Sequence, residues 1–397
     1  MKRLLIFLDE FYCFSVVEEK QKYFSTSAAG SFFDEITYIN KSFMFPMSSC
    51  SSSTEKFSTI IENAKVYPLP EWNSVISFLK YYLVSKKNRV KLKNIFTSAI
   101  SENDIFWLRI PSVPALLFAK MILKTDKQIF LHHAGDIKNA WKNNKYKSLK
   151  KFLAFVMSKY IFYNTNSIAK CNNVVNLCTG SALTKHFNRY NTNTIFFIDS
   201  LIKKNELITK ECPSKINNFI YVGRLTEDKG IKELLNVIKY IITFNPKINL
   251  KIIGFGPLEK YIIEFINFNN LKKNINFVGY IPNDKIHKFL YMSDVFILPS
   301  KAPYEGFPRV ILEAWANSLI VVSTRVGGIE GLGVDKKNVL FCEKDSEDSL
   351  RNAIEKIISD KNLIKIMHHY IQTNRGSITK EYYQDILSNL LKDNNKV

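Results

Sequence analysis

Cations and glycines stand together where a strand of the C-terminal half is predicted to end. Gly223 and Arg224 close an apolar run, and Lys229 and Gly230 open an amphipathic segment. A glycine lets a ligand approach the backbone, and the N-terminus of a helix attracts negative charge. Arg224 and Lys229 would therefore neutralise a diphosphate at this point. A glycine–arginine turn with a solvated lysine explains the same residues, so this motif alone is ambiguous.

The next predicted strand ends in a second glycine pair, Gly254 and Gly256, with Phe255 between them. Glycines at this position allow either a tight turn or the close approach of a ligand. A strand-to-helix turn accounts for them without any ligand. Gly254 and Gly256 therefore become candidate binding residues only in combination with the other motifs.

The most specific pattern begins at Gly306. Pro308 is placed to start a helix, which leaves the backbone N–H groups of Gly306 and Phe307 to face an anion. Backbone donors of this kind bind phosphate oxygens. The segment therefore predicts a phosphate site that uses the main chain.

Two acidic residues flank these donors in the sequence. Glu305 precedes the predicted helix, where a carboxylate can accept hydrogen bonds from the hydroxyl groups of a sugar. Glu313 lies about one and a half turns inside the helix, where it can reach a second pair of hydroxyls such as those of a ribose. Together these groups would hold a sugar nucleotide. An amphipathic helix with two surface glutamates is the alternative.

These motifs can form one site only in a fold that brings the ends of several strands together. From Asn217 onward, short β-branched or aromatic runs alternate with amphipathic segments, and the first half shows a less regular form of the same alternation. Such alternation predicts parallel sheets with helices on both faces and ligands at the carboxyl ends of the strands. We predict an α/β protein with two Rossmann-like domains, residues 1–202 and 203–376, followed by a helix at 377–397 that folds back on the first. The strands predicted for the first domain are Arg3–Leu8, Glu35–Tyr38, Lys65–Tyr67, Ile105–Leu108, Gln128–Leu131 and Asn173–Leu177.

The chain of 397 residues carries a formal charge of +20, although only 23% of its residues are charged. A charge of this size indicates an anionic partner: nucleic acid, a membrane surface or phosphorylated ligands. Two lysine-rich segments, Lys86–Lys93 and Lys142–Lys151, are candidates for contact with anionic lipid, because the second leads into aromatic residues at helical spacing. A core-packing helix with a solvated basic end explains that segment equally well. The six cysteines are scattered without metal-ligand spacing, so we expect reduced thiols and no metal site.

Taken together, the C-terminal motifs resemble glycosyltransferase family 4, a large family of retaining enzymes with the GT-B fold. The motifs occur in the family's order and spacing over residues 218–340: Arg224 with Lys229, Gly254-Phe255-Gly256, Glu305-Gly306-Phe307-Pro308 with Glu313-Ala314, and Val326-Gly327-Gly328. The resemblance implies two Rossmann-like domains that face a central cleft.

The resemblance also implies a role for each residue of these motifs. Arg224 and Lys229 would neutralise the diphosphate of the donor, and Glu305 would contact the transferred sugar. Glu313 would bind the ribose. Gly223, Gly254, Gly256, Gly306, Phe307 and Pro308 would line the donor site. The family generally works without a metal, and we expect this protein to need neither a metal nor another cofactor.

The N-terminal half resembles bacterial polysaccharide glycosyltransferases more loosely, in residues 104–111 and 132–141. Family members often place a histidine near the reacting carbon from this region, and we favour His133 over His132 for that role. At least one of the two belongs to the core if they lie on a strand, because neighbours on a strand face opposite sides. Asp136 and Arg109 are candidates for positioning acceptor hydroxyls, and each is also a candidate for a structural ion pair.

The resemblance implies transfer of a sugar, with retention, from a nucleotide diphosphate sugar to a glycan or polyprenyl-diphosphate-linked acceptor. The setting would be assembly of a bacterial surface polysaccharide, such as a capsule or the O-antigen of lipopolysaccharide. We expect a cytoplasmic protein that meets the inner face of the cell membrane peripherally and binds no nucleic acid. The alternatives are a nucleotide-sugar epimerase of the GT-B fold and a basic nucleic-acid-binding protein.

Overall fold

The computed structural model of the protein describes residues 2–17, 20–25, 27, 29–33, 35–49, 59–62, 64–142, 148–302 and 306–393. The chain divides into two compact units. The N-terminal unit contains residues 1–201 together with residues 386–397, and the C-terminal unit contains residues 202–385.

The N-terminal unit is built on a ten-stranded sheet. Its strands are β1 (Arg3–Phe7), β2 (Tyr12–Val17), β3 (Lys20–Ser25), β4 (Asn40–Ser49), β5 (Thr59–Ile61), β6 (Lys65–Leu69), β7 (Ile105–Ile110), β8 (Gln128–His133), β9 (Val174–Cys178) and β10 (Thr194–Phe196). The order across the sheet is β10-β9-β8-β7-β1-β4-β2-β3-β5, and β6 pairs with β4. Strands β1, β4 and β7 to β10 pair in parallel, as predicted.

The first part of this unit departs from the predicted pattern. β2 and β3 form an antiparallel hairpin directly after β1, and β2 extends the sheet by pairing with the end of β4. The predicted strand Glu35–Tyr38 is wrong, because these residues form turn and coil while the strand begins at Asn40. β4 contains Pro46, and proline is rare in central strands. The sequence of this segment therefore did not predict a strand.

The described part of residues 1–201 also contains the helices α1 (Val75–Val84), α2 (Lys86–Glu102), α3 (Val113–Ile122), α4 (Ser148–Ala169) and α5 (Ser181–Asn188). Serine side chains cap the first three helices by accepting a hydrogen bond from a backbone N–H of the first turn. Phe78, Phe96 and Phe118 on these helices pack into one core with Phe7 and Leu108 of the sheet. Helices cover this face of the sheet because its apolar side chains must be buried.

The C-terminal unit contains a six-stranded sheet in which every pair is parallel. Its strands are β11 (Asn218–Val222), β12 (Asn249–Ile253), β13 (Ile275–Gly279), β14 (Val295–Leu298), β15 (Ile320–Thr324) and β16 (Leu340–Cys342). The order is β13-β12-β11-β14-β15-β16. The predicted parallel α/β architecture is therefore confirmed in this half.

The helices that follow these strands are α6 (Ile231–Phe244), α7 (Glu259–Phe268), α8 (Asn283–Tyr291), α9 (Arg309–Ala316), α10 (Glu347–Ser359), α11 (Lys361–Asn374) and α12 (Lys380–Asp393). Residues of α12 from Ile386 onward group with the N-terminal unit. Among the described residues, no helix combines the length and the apolar character needed to cross a membrane.

Candidate donor site

The sheet of the C-terminal unit has a switch point between β11 and β14. The chain runs outward from β11 to β13, returns to β14 on the other side of β11, and then continues to β16. The loops that leave neighbouring strands in opposite directions open a crevice at their carboxyl ends, where ligands of such sheets bind. The predicted donor motifs follow β11, β12, β14 and β15, so the fold brings all of them to one edge of this sheet.

The loops after β11 and β14 touch each other directly. Lys301 N–H donates to the carbonyl oxygen of Asp228 over 2.7 Å. Gly230, which precedes α6, has a φ of +69°, and a Cβ atom built on it would lie 2.1 Å from the carbonyl oxygen of Pro299. Only glycine fits this contact, because both the space and the left-handed backbone exclude a side chain.

The two predicted cations lie on the first of these loops. Arg224 is exposed, whereas Lys229 is 6% exposed and belongs to a short 3-10 turn before α6. The pKa of Lys229 is lowered to about 8, mainly because its ammonium group is buried and secondly because Arg224 is close, while Asp228 opposes the shift. Two like charges held near one another at a strand end would be stabilised by an anion between them.

The segment before α9 forms the other side of the crevice. Pro308 is the N-cap of α9, which begins at Arg309, and Phe307 packs against Trp315 with ring centroids 6.2 Å apart. The carbonyl oxygen of Gly306 accepts a hydrogen bond from Gly328 N–H, which joins this segment to the loop after β15. Glu305 lies outside the described residues, so its predicted contact with the sugar stays a prediction.

Glu313 lies on the second turn of α9 and is partly buried. Burial raises the pKa of its carboxyl group to about 7, and Glu206 contributes to the rise while Arg309 opposes it. A carboxylate kept in such surroundings costs stability unless a donor satisfies it. Hydroxyl groups of a ribose would be suitable donors.

The glycines after β11 and β12 hold their two loops together. A Cβ atom on Gly254 would lie 1.8 Å from the carbonyl oxygen of Gly223, and one on Gly256 would lie 2.6 Å from that of Leu225. Leu225 N–H also donates to the carbonyl oxygen of Phe255 over 2.9 Å. Gly254 and Gly256 therefore position the loop that carries Arg224 by close packing, and their contact with a ligand stays a prediction.

The histidine pair of the N-terminal unit is fully buried on β8. His133 stacks on Phe187 with centroids 3.9 Å apart, and its Nε2 lies 3.0 Å from Oδ1 of Asn176. The pKa of His133 is lowered to about 4 because of burial, so the ring is neutral at physiological pH. This burial and these contacts are typical of a structural residue, and they do not support a catalytic role for His133.

His132 points to the opposite face of the sheet. Its Nε2 lies 3.0 Å from Oγ1 of Thr179, and its ring contacts Trp107 at 5.2 Å. Arg109 pairs with His132 in the register of β7 and β8, so both side chains belong to the same face. His132 is therefore the member of the pair that shares a face with another predicted acceptor residue.

Arg109 and Asp136 both make structural contacts. Arg109 forms an ion pair with Asp199 and a longer one with Glu10, 3.9 Å from Nε to Oε1. Asp136 accepts hydrogen bonds from Lys138 N–H at 2.9 Å and from the side chain of Asn139 at 2.6 Å, and so begins a 3-10 turn. Roles in acceptor binding stay predictions for both residues.

Some residues of interest did not emerge as site candidates from the sequence. Asp9 and Glu10 lie just beyond β1, after Leu8, and Tyr280 is exposed at the end of β13, in edge-to-face contact with Phe255 at 5.6 Å. A search for polar or aromatic residues just beyond every strand would have found them.

Cys13 takes part in a disulfide, so the expectation of reduced thiols is wrong for this residue. Within the described ranges, no three His, Cys, Asp or Glu side chains form a group that could hold a metal ion.

Comparison with known proteins finds a family model that matches the C-terminal half. Residues 203–375 match the model described as glycosyl transferases group 1. The matched segment contains Arg224, Lys229 and α9, which form the crevice described above.

Several known proteins share this unit. The chain is 30% identical over 208 residues to the capsular polysaccharide biosynthesis glycosyltransferase CapM of Staphylococcus aureus. The matched residues make up 52% of this chain and 51% of CapM. It is 33% identical over 148 residues to an uncharacterized glycosyltransferase, MJ1178, of Methanocaldococcus jannaschii, covering 37% of this chain and 40% of that protein. The similarity thus spans about half the length of these relatives or less.

Solved structures match the whole chain in fold. The lipopolysaccharide outer core galactosyltransferase WaaB, in its apo form, superposes with a TM-score of 0.68 at 16% identity, covering 99% of this chain and 100% of WaaB. Anabaena Alr3699/HepE in complex with UDP superposes with a TM-score of 0.66 at 16% identity and the same coverage. At this identity the likeness concerns the fold, which is GT-B as predicted.

Proposed function

We propose that this protein is a retaining glycosyltransferase that transfers a sugar from a nucleotide diphosphate sugar to a hydroxyl group of a glycan or lipid-linked acceptor. One observation carries the proposal: Arg224 and Lys229 lie close enough for their charges to repel, on a loop that touches the loop before α9. A diphosphate would supply negative charge to both cations at once. Donor-binding residues then lie on the C-terminal unit and acceptor-binding residues on the N-terminal unit.

In the proposed reaction the bond between the anomeric carbon and the β-phosphate oxygen breaks, and a bond to the acceptor oxygen forms. The proton of the acceptor hydroxyl passes to the departing phosphate oxygen on the same face of the sugar. Arg224, Lys229 and the backbone N–H groups at the start of α9 stabilise the charge that develops on the leaving diphosphate. With these fixed cations the leaving group needs no metal ion, and we propose metal-independent transfer.

The names of relatives support the kind of acceptor. CapM is described as a capsular polysaccharide biosynthesis glycosyltransferase, and TuaC of Bacillus subtilis, 33% identical over 135 residues, as a putative teichuronic acid biosynthesis glycosyltransferase. WaaB is a galactosyltransferase of the lipopolysaccharide outer core. We propose that this chain acts in the assembly of a bacterial surface polysaccharide, at the inner face of the cell membrane.

An exposed stripe on α4 supports the membrane contact. At 3.6 residues per turn, its six exposed apolar side chains fall within an arc of about 100° on one side of the helix: Leu149, Phe152, Leu153, Val156, Tyr160 and Tyr163. We call these residues the α4 stripe. Lys159 lies over the ring of Phe155 at 5.4 Å, and Lys151 lies 5.9 Å from the ring of Trp141, so cations flank the stripe. An apolar stripe bordered by lysines fits the interface of an anionic bilayer.

Thermal unfolding in the presence of nucleotide diphosphate sugars tests the donor proposal. A donor at about a hundred times its Kd adds about 2.7 kcal/mol to the free energy of unfolding, which raises the midpoint by several degrees. We expect a UDP-, GDP-, ADP- or CDP-sugar to do so with the wild type and to lose most of its effect with Lys229→Met. If no nucleotide sugar stabilises the wild type, the proposal is wrong. Conversion of the donor to another sugar without any acceptor would instead show an epimerase.

A further inference from the structure

A buried arginine lies at the carboxyl end of α9, the helix that carries Glu313. Arg375 is 8% exposed and belongs to the short 3-10 turn that follows α11. Within the described ranges, no carboxylate forms an ion pair with it, and burial lowers the pKa of its guanidinium group. A buried charge without an opposite charge is unfavourable unless hydrogen-bond partners satisfy it. The acceptors around Arg375 therefore show which parts of the chain this residue holds together.

These acceptors belong to the end of α9 and to the segment that precedes β11. Nη1 of Arg375 donates to the carbonyl oxygen of Ala316 over 3.3 Å and to Oγ of Ser318 over 2.8 Å. Nη1 also donates to the carbonyl oxygen of Ile208, and Nη2 donates to Oγ1 of Thr209 over 2.8 Å. The carbonyl oxygen of Ala316 accepts a second hydrogen bond, from Ile208 N–H, over 2.8 Å. One cation thus joins the carboxyl end of α9, where positive charge is favourable, to residues 208 and 209.

Ser318 is the third part of this junction. Its φ is +59°, a conformation at the end of a helix that glycine usually adopts because a side chain strains it. Its Oγ donates to the carbonyl oxygen of Ile208 over 2.6 Å and accepts from Arg375. A glycine would adopt this conformation without strain, but it would lack the hydroxyl group that bridges the arginine and the carbonyl oxygen.

The junction matters for the donor site because α9 is short. The helix has eight residues, Arg309–Ala316, and is therefore about 12 Å long. Glu313, which we expect to bind the ribose, lies less than one turn before Ala316. Two hydrogen-bonded turns move as one piece, so a shift of the carboxyl end also displaces Glu313. Binding groups must be held within about 0.5 Å of their place, so the position of Ala316 decides whether Glu313 reaches the ribose.

We propose that Arg375 is a positioning residue for donor binding: it fixes the carboxyl end of α9 so that Glu313 meets the hydroxyl groups of the ribose. This role rests on the proposed donor site and adds to it a residue that acts through α9 and not by contact with the nucleotide. The backbone of residues 208 and 209 and the hydroxyl group of Ser318 are the partners through which Arg375 acts.

Calorimetric titration at about pH 7.5 tests the proposal, with UDP, GDP, ADP and CDP each compared with its 2′-deoxy form. The deoxy form lacks a hydroxyl group that can donate to Glu313. We expect the wild type to bind the deoxy form of its nucleotide roughly tenfold more weakly, as the loss of a hydrogen bond to a charged group predicts. In Arg375→Met the ratio of the two affinities should fall at least threefold, because Glu313 is no longer fixed. A smaller fall overturns the proposal.

Lys210→Met is the matched control. Lys210 is a partly buried cation of the same segment, but its Nζ donates to the carbonyl oxygens of Leu290 and Ser293, over 3.1 Å each, at the end of α8. It therefore ties the segment to α8 instead of α9, and we expect the ratio to stay within twofold of the wild type. An equal fall in both variants would show a general loss of structure and would overturn the proposal.

Ser318→Gly separates positioning from stability. The glycine relieves the strained φ of +59°, so the midpoint of thermal unfolding should not fall, while the bridge to Arg375 is lost. We expect the ratio to fall at least twofold in this stable variant, and an unchanged ratio would contradict the role of the junction. If the wild type binds none of the four nucleotides, the donor proposal itself is refuted. If it binds a nucleotide and its deoxy form equally well, only the positioning of Glu313 by Arg375 is refuted.

Discussion

Gly230 and the carbonyl oxygen of Pro299 lie so close that no side chain fits between them: a Cβ atom on Gly230 would stand 2.1 Å from that oxygen. The contact joins the loop that carries Lys229 to the end of β14. The loop with Lys229 therefore holds a fixed spacing from this strand end, and a diphosphate site requires cations that are fixed in place.

We predict that Gly230→Ala disturbs this spacing. The substitution must relieve a clash with the backbone and also adopt a φ of +69°, so we expect a loss of roughly 2 to 3 kcal/mol in the free energy of unfolding. Nucleotide binding should weaken in the folded fraction. Denaturant unfolding and nucleotide titration measure the two effects. Gly376→Ala is the control, because a Cβ atom there meets nothing within 4 Å.

We expect the affinity for nucleotide sugar to pass through a maximum between about pH 7 and pH 8. The pKa of Lys229 is about 8, so above that pH the ammonium loses its proton and its attraction for the diphosphate. The pKa of Glu313 is about 7, so below that pH the carboxyl group is protonated and accepts hydrogen bonds from a ribose less well. Calorimetric titration from about pH 6 to pH 9 would give this profile.

Two variants show which residue causes the fall in affinity above pH 8 and which causes the rise towards pH 7. Lys229→Arg should keep its charge and so abolish the fall above pH 8, while Glu313→Gln should flatten the rise towards pH 7. If the affinity of both variants depends on pH as that of the wild type does, the pH dependence comes from groups other than Lys229 and Glu313.

Glu313→Gln should also stabilise the protein above neutral pH. The pKa of Glu313 is raised from 4.5 to about 7, so the folded state binds the proton more tightly and loses stability as pH rises through this window. A glutamine carries no charge to desolvate, so at pH 8 we expect a gain on the order of 2 kcal/mol, with the donor bound at least tenfold more weakly. At pH 4 the two proteins should unfold alike. Urea unfolding at both pH values measures the difference.

Much of the C-terminal half could be predicted from the sequence, because its motifs are local. Gly223 to Gly230, and Gly306 to Glu313, are each continuous segments that fold as a strand end and a helix start. Their convergence follows from the parallel sheet, and the structure places both at the carboxyl edge next to the switch point. The order of the strands across the sheet could not be obtained from single segments, since it depends on contacts between residues far apart in sequence.

The N-terminal half was harder to predict for the same reason. The β2–β3 hairpin stands directly after β1 where alternation predicts a helix, and its charged residues and lack of a tight-turn signal concealed it. The environment of His133 depends on Asn176 and Phe187, more than 40 residues away in sequence, so no local pattern indicates whether that ring reaches a ligand.

We predict that His133→Ala acts on stability more than on catalysis. The substitution removes a ring stacked on Phe187 and leaves Asn176 without one hydrogen bond, which should cost about 2 to 4 kcal/mol. The turnover of the folded fraction should fall less than threefold. A loss of several orders of magnitude in kcat, with stability unchanged, would instead establish His133 as the catalytic histidine.

The α4 stripe should make the protein bind anionic vesicles. We expect sedimentation with vesicles of phosphatidylcholine and phosphatidylglycerol in equal parts, and little with phosphatidylcholine alone, because the lysines beside the stripe are attracted to negative lipid by about 1 kcal/mol each. Binding should weaken as salt screens this attraction. Phe152→Ser, which removes a side chain 62% exposed, should weaken binding about tenfold, since about 1.4 kcal/mol of apolar burial is lost. Phe244→Ser is the matched control, because Phe244 is 75% exposed on α6 of the other unit. Equal loss in both variants, or binding that ignores the charge of the lipid, would contradict membrane contact through this helix.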